Sequence, residues 1–428
     1  MGKSINSANG KKQVSTGKNG KAGQIKRTSD CSQGSVNSNE KKQAKAEAGR
    51  QQRLAVVRLR QRLEAAKKSP QPQGVPETRV EYYVGIDIGD KKSYYCFLDE
   101  NTNVVAADTL STTTTDFDLH FKAIPRSRIA IEVGTHSPWV SSLLEEIGHE
   151  VYVANPRKTE GGKRKNRRKN DRLDAETLAR QVKSDPKLLY PIQHRSQKAR
   201  NALVLLRARQ AVVAARTKLI CGVRGLVKST GHRLPSCPAQ SFHKMNRTYV
   251  PEALRETLEP LFEQIGMLTT RTRKYAIEVK RMCKNAYPET ALLQQVNGVG
   301  EITALAFILT LDDPGRFAKS RNVGPYLGLV PKQYDSGDSR PQMHITKTGD
   351  RMMRQLLVQS AHYILGPFGK DSDLRRHGLK IAARGGKNAK KRAAVAVARK
   401  LAVLLHRLWV TAEEYEPLRN SVPKEKVA

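Results

Sequence analysis

Alternating apolar and polar positions predict a strand-rich region early in the folded part of the chain. Residues 83–89 alternate aliphatic with small or acidic side chains at period two, which is typical of a strand with one buried face. Residues 93–98 and 104–110 follow at short spacing, as in an antiparallel meander. The pattern then predicts a helix over 116–123, a strand over 128–133, a helix over 138–147 and a strand over 149–154.

The rest of the chain has helical periodicity. Residues 196–228 and 251–285 carry apolar side chains near helical spacing, which suits either an antiparallel coiled coil or plain helical packing. Apolar residues at 302–311 and 393–405 predict two further helices. The order of elements therefore predicts an α/β RNase H-like N-terminal domain, a helical coiled-coil middle and a mainly α C-terminal domain.

Changes in composition divide the chain further. Residues 1–44 contain few aliphatic side chains, so we expect them to be disordered. Residues 45–68 predict a short basic helix with Leu54, Val57 and Leu63 on one side, and a Pro-rich linker follows. We expect a basic tail and linker at 1–78, an α/β domain at 79–190, a helical spacer at 191–288, a C-terminal domain at 289–412 and a second tail at 413–428.

Charge and cysteine content narrow the class of protein. The chain has 77 Lys and Arg against 40 Asp and Glu, a net charge of +37, so a polyanion is the expected partner. The five cysteines form no CxxC pair, which favours the reducing cytoplasm. The apolar segment 393–405 is interrupted by Arg399 and Lys400 and is too short for a membrane span, so we expect no membrane partner.

Four acidic residues are placed where they can bind metal. Asp87 lies on the strand face opposite its aliphatic neighbours, where a carboxylate is costly unless it is paired or bound to a metal ion. Glu132 ends a neighbouring predicted strand, and Asp171 and Asp174 lie one turn apart at the start of a predicted helix. Such a set can hold two Mg²⁺ (or Mn²⁺) ions about 4 Å apart, as in metal-assisted phosphoryl transfer.

Each acid also has a simpler interpretation when it is taken alone. Asp171 is placed like a helix cap, and Asp87 in Gly-Ile-Asp-Ile-Gly also suits a sugar kinase or an actin-like ATPase. Residues 157–169, just before the last pair, contain eight Lys or Arg and one acid, which favours a nuclease-like site that draws in a phosphate backbone. The candidate contacts in this run are Lys163, Arg164, Lys165, Arg167, Arg168 and Lys169.

The last third contains a second group of candidates. Gly298 and Gly300 precede the helix over 302–311, as in a helix-hairpin-helix turn whose amides bind a DNA phosphate. Ser336 stands beside a glycine in a basic loop, a combination that more often marks a turn than a site. Lys347 follows in Ile-Thr-Lys-Thr-Gly. Residues 374–412 hold eleven Lys or Arg and no acid, so we expect the binding surface to extend to them.

Taken in order, these motifs resemble those of a known family. The spacing of Asp87, Glu132 and the Asp171-x-x-Asp174 pair, followed by Gly-Leu-Val-Pro, Ser-Gly and Ile-Thr-Lys-x-Gly, is similar to that of the DEDD transposases of bacterial insertion sequences, relatives of the Piv and MooV DNA invertases. The resemblance covers about residues 80–410. It implies a RuvC-like N-terminal domain and a C-terminal domain that supplies a serine, joined in one composite site across a dimer or tetramer on DNA.

The resemblance also implies a mechanism and a second nucleic acid. Ser336 would attack the scissile phosphate to give a phosphoserine intermediate, assisted by metal ions held by the four acids. Family members are guided by a noncoding RNA, so donor DNA, target DNA and a guide RNA are the implied partners. Ser339 as the nucleophile, a Holliday-junction-type nuclease that uses water, and a non-catalytic nucleic-acid-binding protein stay open.

Overall fold

The structure, a computed structural model, describes residues 47, 50, 54, 56–65, 80–159, 170–339, 341 and 343–420. The chain divides into two units, residues 1–192 and 193–428. The predicted disordered stretch 1–44 and the Pro-rich linker lie outside the described residues. Within the described ranges, no helix combines the length and the apolar content needed to cross a membrane.

A mixed five-stranded sheet forms the framework of the first unit. Its strands are β1 Tyr82–Asp87, β2 Lys92–Leu98, β3 Val104–Ser111, β4 Ser127–Glu132 and β5 Glu150–Ala154. Their order is β3-β2-β1-β4-β5, with β1, β2 and β3 antiparallel and β4 and β5 continuing parallel to β1. This confirms the predicted α/β N-terminal domain that begins with an antiparallel meander.

Helices cover both faces of the sheet. They are α1 Thr114–Phe121, α2 Ser137–Ile147 and α3 Asp171–Ser184. Alternate residues of β1, Val84 and Ile86, share one core with Phe117 of α1 and Leu144 of α2. On the other face α3 lies close to β1, because a Cβ atom at Gly85 would stand only 2.0 Å from the carbonyl oxygen of Ala175. Only glycine permits this approach.

The described residues 56–65 are helical and pack onto the first unit. Leu59 and Leu63 are buried in the sheet core, and the Tyr82 hydroxyl donates a hydrogen bond to the Leu63 carbonyl at 3.2 Å. Leu54 and Val57, which we expected beside Leu63, are exposed. That expectation was wrong because Val57 and Leu63 are six residues apart, which places them about 120° apart around a helix.

The second unit is mostly helical, as predicted. Its long helices are α4 Gln197–Ser229, α5 Glu252–Asn285, α6 Glu301–Leu311, α7 Arg351–Leu365, α8 Asp373–Ala382 and α9 Ala389–Thr411. Residues 303–311 of α6 are all buried, so this helix forms the centre of the core that α4, α5, α7 and α9 surround. Short helical segments in the chain are Pro156–Thr159, Pro186–Leu189, Phe242–Met245, Arg247–Tyr249, Thr290–Gln294, Pro314–Arg316, Ser320–Asn322 and Val323–Tyr326.

Helices α4 and α5 pack as an antiparallel pair with the residue spacing of a coiled coil. The buried residues on α4 include Ala202, Leu206, Arg216 and Ile220, and the partly buried Arg209 and Val213 lie between Leu206 and Arg216 at steps of three, four and three. The start of α4 shares an apolar core with the end of α5, and the end of α4 shares another with the start of α5. The middle of the chain is therefore a pair of long helices, and the coiled coil stays a prediction.

The contact between α4 and α5, which we call the seam, is polar in its middle. Arg216 is buried and donates a hydrogen bond to the Thr269 hydroxyl at 3.4 Å, and neither its Nε nor that of Arg209 has a hydrogen-bond partner within the described structure. Burial lowers the pKa of both guanidiniums, and Arg216 lowers that of Arg209 further. A charged group inside a helix pair costs free energy, so this part of the seam is less stable than the apolar cores on either side.

We expect Arg216→Leu to stabilise the second unit by about 1 kcal/mol or more, because it replaces a buried charge with an apolar side chain of the kind that fills the rest of the seam. Thermal unfolding of the full chain should show a midpoint about 2–4 °C higher. Lys218→Leu removes the same charge from the exposed side of α4 and should leave the midpoint within about 1 °C. A lower midpoint for Arg216→Leu would show that the arginine stabilises the seam.

Gly85→Ala should separate α3 from β1, since the added methyl group would overlap the backbone of α3. We expect a loss of about 2–3 kcal/mol in the free energy of unfolding of the first unit. Urea denaturation measures it. Gly134→Ala is the matched control in the same unit, because a Cβ atom there meets nothing within 4 Å. Equal stability of the two variants would contradict the close approach.

Candidate functional site

Three of the four predicted acids meet at the end of β1. Asp87 is the last residue of β1, and Asp171 and Asp174 lie in the first turn of α3. The close packing of α3 on β1 at Gly85 brings these side chains together, and one oxygen from each lies within 4.8 Å of the others. All three residues are partly buried. The strand and the helix thus present three carboxylates to one point.

The local sequence sets how α3 presents its acids. Asn170 caps the helix, and its side chain accepts a hydrogen bond from the backbone N–H of Arg172 at 3.1 Å. Because Asn170 is the cap, the capping role that we considered for Asp171 is already filled. Asp171 and Asp174 then occupy the first turn, where the helix dipole favours negative charge. The same amide-rich end of the helix therefore stabilises both carboxylates.

Glu132 is not brought into this group. It ends β4 next to Ile131, which pairs in register with Ile86 of β1, so its side chain belongs to the same sheet face as that of Asp87. It nevertheless lies outside the set whose oxygens fall within 4.8 Å of one another. The structure therefore brings together three members of the predicted tetrad and leaves the fourth at a neighbouring strand end.

The donor set fits a divalent cation that prefers oxygen. Three carboxylates supply three negative charges and enough oxygens for part of the coordination sphere of Mg²⁺ or Mn²⁺, while water or a phosphate can complete it. Within the described residues this is the group of His, Cys, Asp and Glu side chains that meets the distance requirement for a metal ion. The chemistry of the donors does not distinguish the two metals.

Ser336 lies at the tip of a hairpin in the second unit. The backbone N–H of Ser336 donates to the Ser339 carbonyl at 3.1 Å, and the N–H of Ser339 donates back to the Ser336 carbonyl at 3.0 Å. Gly337 between them has φ +54°, a left-handed conformation. Both serines are exposed. The segment is therefore a turn, and it presents two serine hydroxyls side by side to solvent.

The base of this hairpin is firmly held. Lys332 N–H donates to the His344 carbonyl at 2.9 Å, and Thr346 N–H donates to the Val330 carbonyl at 2.9 Å. Gly328, at φ +69°, passes so close to the returning strand that a Cβ atom there would stand 2.2 Å from the Thr348 carbonyl oxygen. The hairpin thus begins where the chain segments around Gly328 and Thr348 cross and are held together.

A charged residue that the sequence did not single out supports this crossing. Arg354 of α7 donates hydrogen bonds to the carbonyls of Leu327, at 3.1 Å, and of Thr348. Asp350 caps α7 by accepting from Met353 N–H at 2.9 Å. The sequence motifs do not predict the role of Arg354. The sequence Gly-Asp before a helix is a recognisable capping pattern, so the role of Asp350 could have been predicted.

The remaining predicted contacts differ in their surroundings. Gly298 has φ +91°, and a Cβ atom there would stand 3.0 Å from the Tyr363 ring of α7, so this glycine serves packing. Gly300 is the exposed residue before α6, and Lys347 is exposed at φ +57° near the hairpin base. The basic residues Lys163, Arg164, Lys165, Arg167, Arg168 and Lys169 lie outside the described residues.

Two protein-family models match successive parts of the chain. A transposase model of the DEDD type found in IS110 matches residues 84–232, which include Asp87, Glu132, Asp171 and Asp174. A model described as the transposase IS116/IS110/IS902 family matches residues 290–371, which include Ser336. Both units therefore contribute to the similarity.

Curated proteins with similar sequences carry related names. The transposase for insertion sequence element IS1111A of Coxiella burnetii is 29% identical over 254 residues, 58% of this chain and 68% of that protein. A probable family 20 transposase of Pseudomonas aeruginosa is 26% identical over 344 residues, 78% of this chain and 98% of that protein. The transposase for IS1328 of Yersinia enterocolitica is 27% identical over 291 residues. Together with the two models, these relatives support an insertion-sequence transposase of the IS110/IS116 DEDD family.

Proposed function

We propose that this protein cleaves and rejoins DNA strands as the transposase of an insertion sequence. The observation that carries the proposal is the meeting of Asp87, Asp171 and Asp174 at the end of β1, in the region that matches a DEDD transposase model. Carboxylates grouped in this way bind the divalent ions that assist phosphoryl transfer. The surplus of basic residues suits a DNA substrate.

The finer fold assignment belongs to the same proposal. An RNase H-like, RuvC-like domain places its metal-binding acids at the ends of central strands and on a following helix. The order β3-β2-β1-β4-β5 and the acids on β1 and α3 support this assignment for the first unit. We assign residues 79–190 to the catalytic domain, 191–288 to a coiled-coil spacer and 289–412 to the domain with the serine. Glu132, which ends β4 on the same sheet face as Asp87, is the fourth acid that we assign to the metal site.

The chemical step combines the acids with Ser336. A bound divalent ion would supply positive charge that polarises the scissile phosphate and stabilises the leaving oxygen. The Ser336 hydroxyl would form a bond to phosphorus as one P–O bond to deoxyribose breaks, the serine proton passing to solvent and the leaving oxygen taking up another. The hydroxyl of a second strand would then displace Ser336 and rejoin the DNA.

This step needs both units at one phosphate. We propose that the acids and Ser336 form a composite site in a homodimer or homotetramer on DNA, with donor and target DNA and a noncoding guide RNA as partners. Exposure of Ser336 at a hairpin tip supports the proposal, because a nucleophile that acts in an assembled complex must project from its own core. The cytoplasm is the compartment where such substrates occur in bacteria.

A water-dependent nuclease is the second candidate. The acid group alone is suited to activating water for hydrolysis of a DNA junction, and Ser336 lies in a turn whose geometry serves the hairpin whether or not the hydroxyl reacts. The two candidates differ in whether the protein becomes covalently attached to DNA.

We expect Ser336→Ala to abolish a covalent protein–DNA band on a denaturing gel, using labelled DNA from the junction of the element, Mg²⁺ and RNA transcribed from the ends of the element. Ser339→Ala is the matched control, since Ser339 is equally exposed in the same turn, and it should retain the band. Asp87→Asn should abolish both the band and cleavage. Cleavage that persists without a band in Ser336→Ala would instead favour water as the nucleophile.

Metal binding tests the acid group separately from catalysis. Asp174→Asn should weaken Mn²⁺ binding by about tenfold or more, because it removes one of three clustered carboxylates. Isothermal titration calorimetry of the full chain measures this. Asp118→Asn, on the exposed surface of α1, should leave the affinity unchanged. Unchanged affinity in the Asp87, Asp171 and Asp174 variants alike would contradict a metal site here.

A further inference from the structure

A large cleft lies within the second unit, beside the hairpin that carries Ser336. Its volume is about 1030 Å³. One wall is α9, and a second is α8 with the turn at Gly385. A third is the returning segment of the hairpin at residues 343–345, and the chain segment 415–420 closes one side. A cleft of this volume is large enough to bury an organic ligand.

The wall formed by α9 alternates charge with apolar surface. The residue pairs 391–392 and 399–400 are Lys or Arg and are exposed, whereas the pairs 395–396 and 403–404 between and beyond them are Val, Ala or Leu and are partly buried. Because the pairs recur every four residues, successive pairs lie about 6 Å apart along the helix and the two cationic pairs about 12 Å apart. The opposite face of α9 is buried in the core.

Seven Lys or Arg residues line the cleft against two acids, Asp373 and Glu416. Arg407 and Arg419 both pair with Glu413, and Asp373 accepts hydrogen bonds from Asn420. The cations on α9 at 391, 392, 399 and 400, together with Arg384 just after α8, have no salt bridge within the described structure. Five positive charges therefore surround an apolar floor.

His377 is one of two histidines that line the cleft, and the nearby cations affect its pKa. Burial lowers the pKa of His377, and Lys400, Arg384 and Lys380 lower it further. The rings of His377, His344 and Tyr415 all line the cleft, so flat side chains are available beside the cations. A ligand that suits these walls has regularly spaced negative charges and flat apolar groups between them.

We propose that this cleft binds unpaired nucleotides of a single-stranded nucleic acid, with phosphates on the cationic pairs of α9 and bases against its apolar pairs and the cleft rings. The inference rests on the proposed transposase function, and it specifies that the second unit binds nucleic acid in its single-stranded form. A duplex keeps its bases stacked inside, so it would engage the cations but leave the apolar floor uncovered. Bases of a single strand can cover that floor.

The test compares three fluorescein-labelled DNA probes on the full chain by fluorescence anisotropy at fixed salt. The probes are a single strand of about 12 nucleotides, its duplex, and the same strand built from abasic residues, a length within the range that single-strand-binding sites cover. We expect the single strand to bind about tenfold more tightly than the other two. The abasic probe keeps the phosphates, so it isolates the contribution of the bases.

A pair of double variants locates the binding. Arg399→Gln with Lys400→Gln removes one cationic pair of the cleft and should weaken single-strand binding about tenfold. Lys218→Gln with Lys274→Gln removes the same charge from exposed positions of α4 and α5 that do not line the cleft, and should change the affinity less than about threefold. Binding should also raise the pKa of His377 in an NMR titration, because phosphate offsets the neighbouring cations.

Three results would overturn the inference. The first is equal affinity of the protein for all three probes, and the second is an equal loss of affinity in the two double variants. The third is a polyglutamate peptide that displaces the labelled single strand as effectively as unlabelled single strand does. The assay is run in the Ser336→Ala background and needs no cleavage. A failure of the proposed chemistry therefore leaves the expected binding intact, and a failure of the cleft leaves the covalent band of the wild-type protein intact.

Discussion

The contact between α3 and β1 at Gly85 is the constraint on which the acid site depends. Asp87 and the pair Asp171 and Asp174 are more than 80 residues apart in the chain, and their oxygens meet because a helix backbone rests directly on a strand. Three carboxylates at this distance repel one another, so the packing energy of α3 must hold them until a cation offsets the repulsion. Buried apolar residues such as Ala175 and Ala179, which take no part in metal binding, therefore stabilise the site.

The sequence predicted the positions of the strands along the chain well, because each strand has one apolar face and alternation at period two records that face directly. It did not predict that Glu132 would stand apart from Asp87, since the separation depends on side-chain direction at two strand ends. The helix over 56–65 was misjudged for a related reason. Leu59 and Leu63 are buried by the sheet, and a short basic helix carries too few apolar residues for its own pattern to identify the buried side.

The second unit shows where residue type and role diverge. Gly298 and Gly300 suggested a phosphate-binding turn, which stays a prediction, and the structure adds that Gly298 is required by its left-handed φ and by the Tyr363 ring against it. Arginine is usually exposed, yet Arg216 is buried between α4 and α5, where it donates to the Thr269 hydroxyl, and Arg209 is partly buried. A single sequence does not distinguish these cases, because the partner surface that buries a residue lies far along the chain. Ser336 is the opposite case, since a Ser-Gly pair predicted a turn and the turn is present.

The basic surplus is not one uniform surface. On α4, which has eight Lys or Arg and no acid, two arginines are taken into the seam and destabilise it locally. On α9 the cations stand in pairs separated by apolar turns, so the helix offers a ligand both charge and a place to exclude water. Uniform charge binds any polyanion, and its affinity decreases steeply with salt. The apolar turns of α9 add a term that salt does not screen, so a strand held there would persist at ionic strengths that remove a duplex from the rest of the surface.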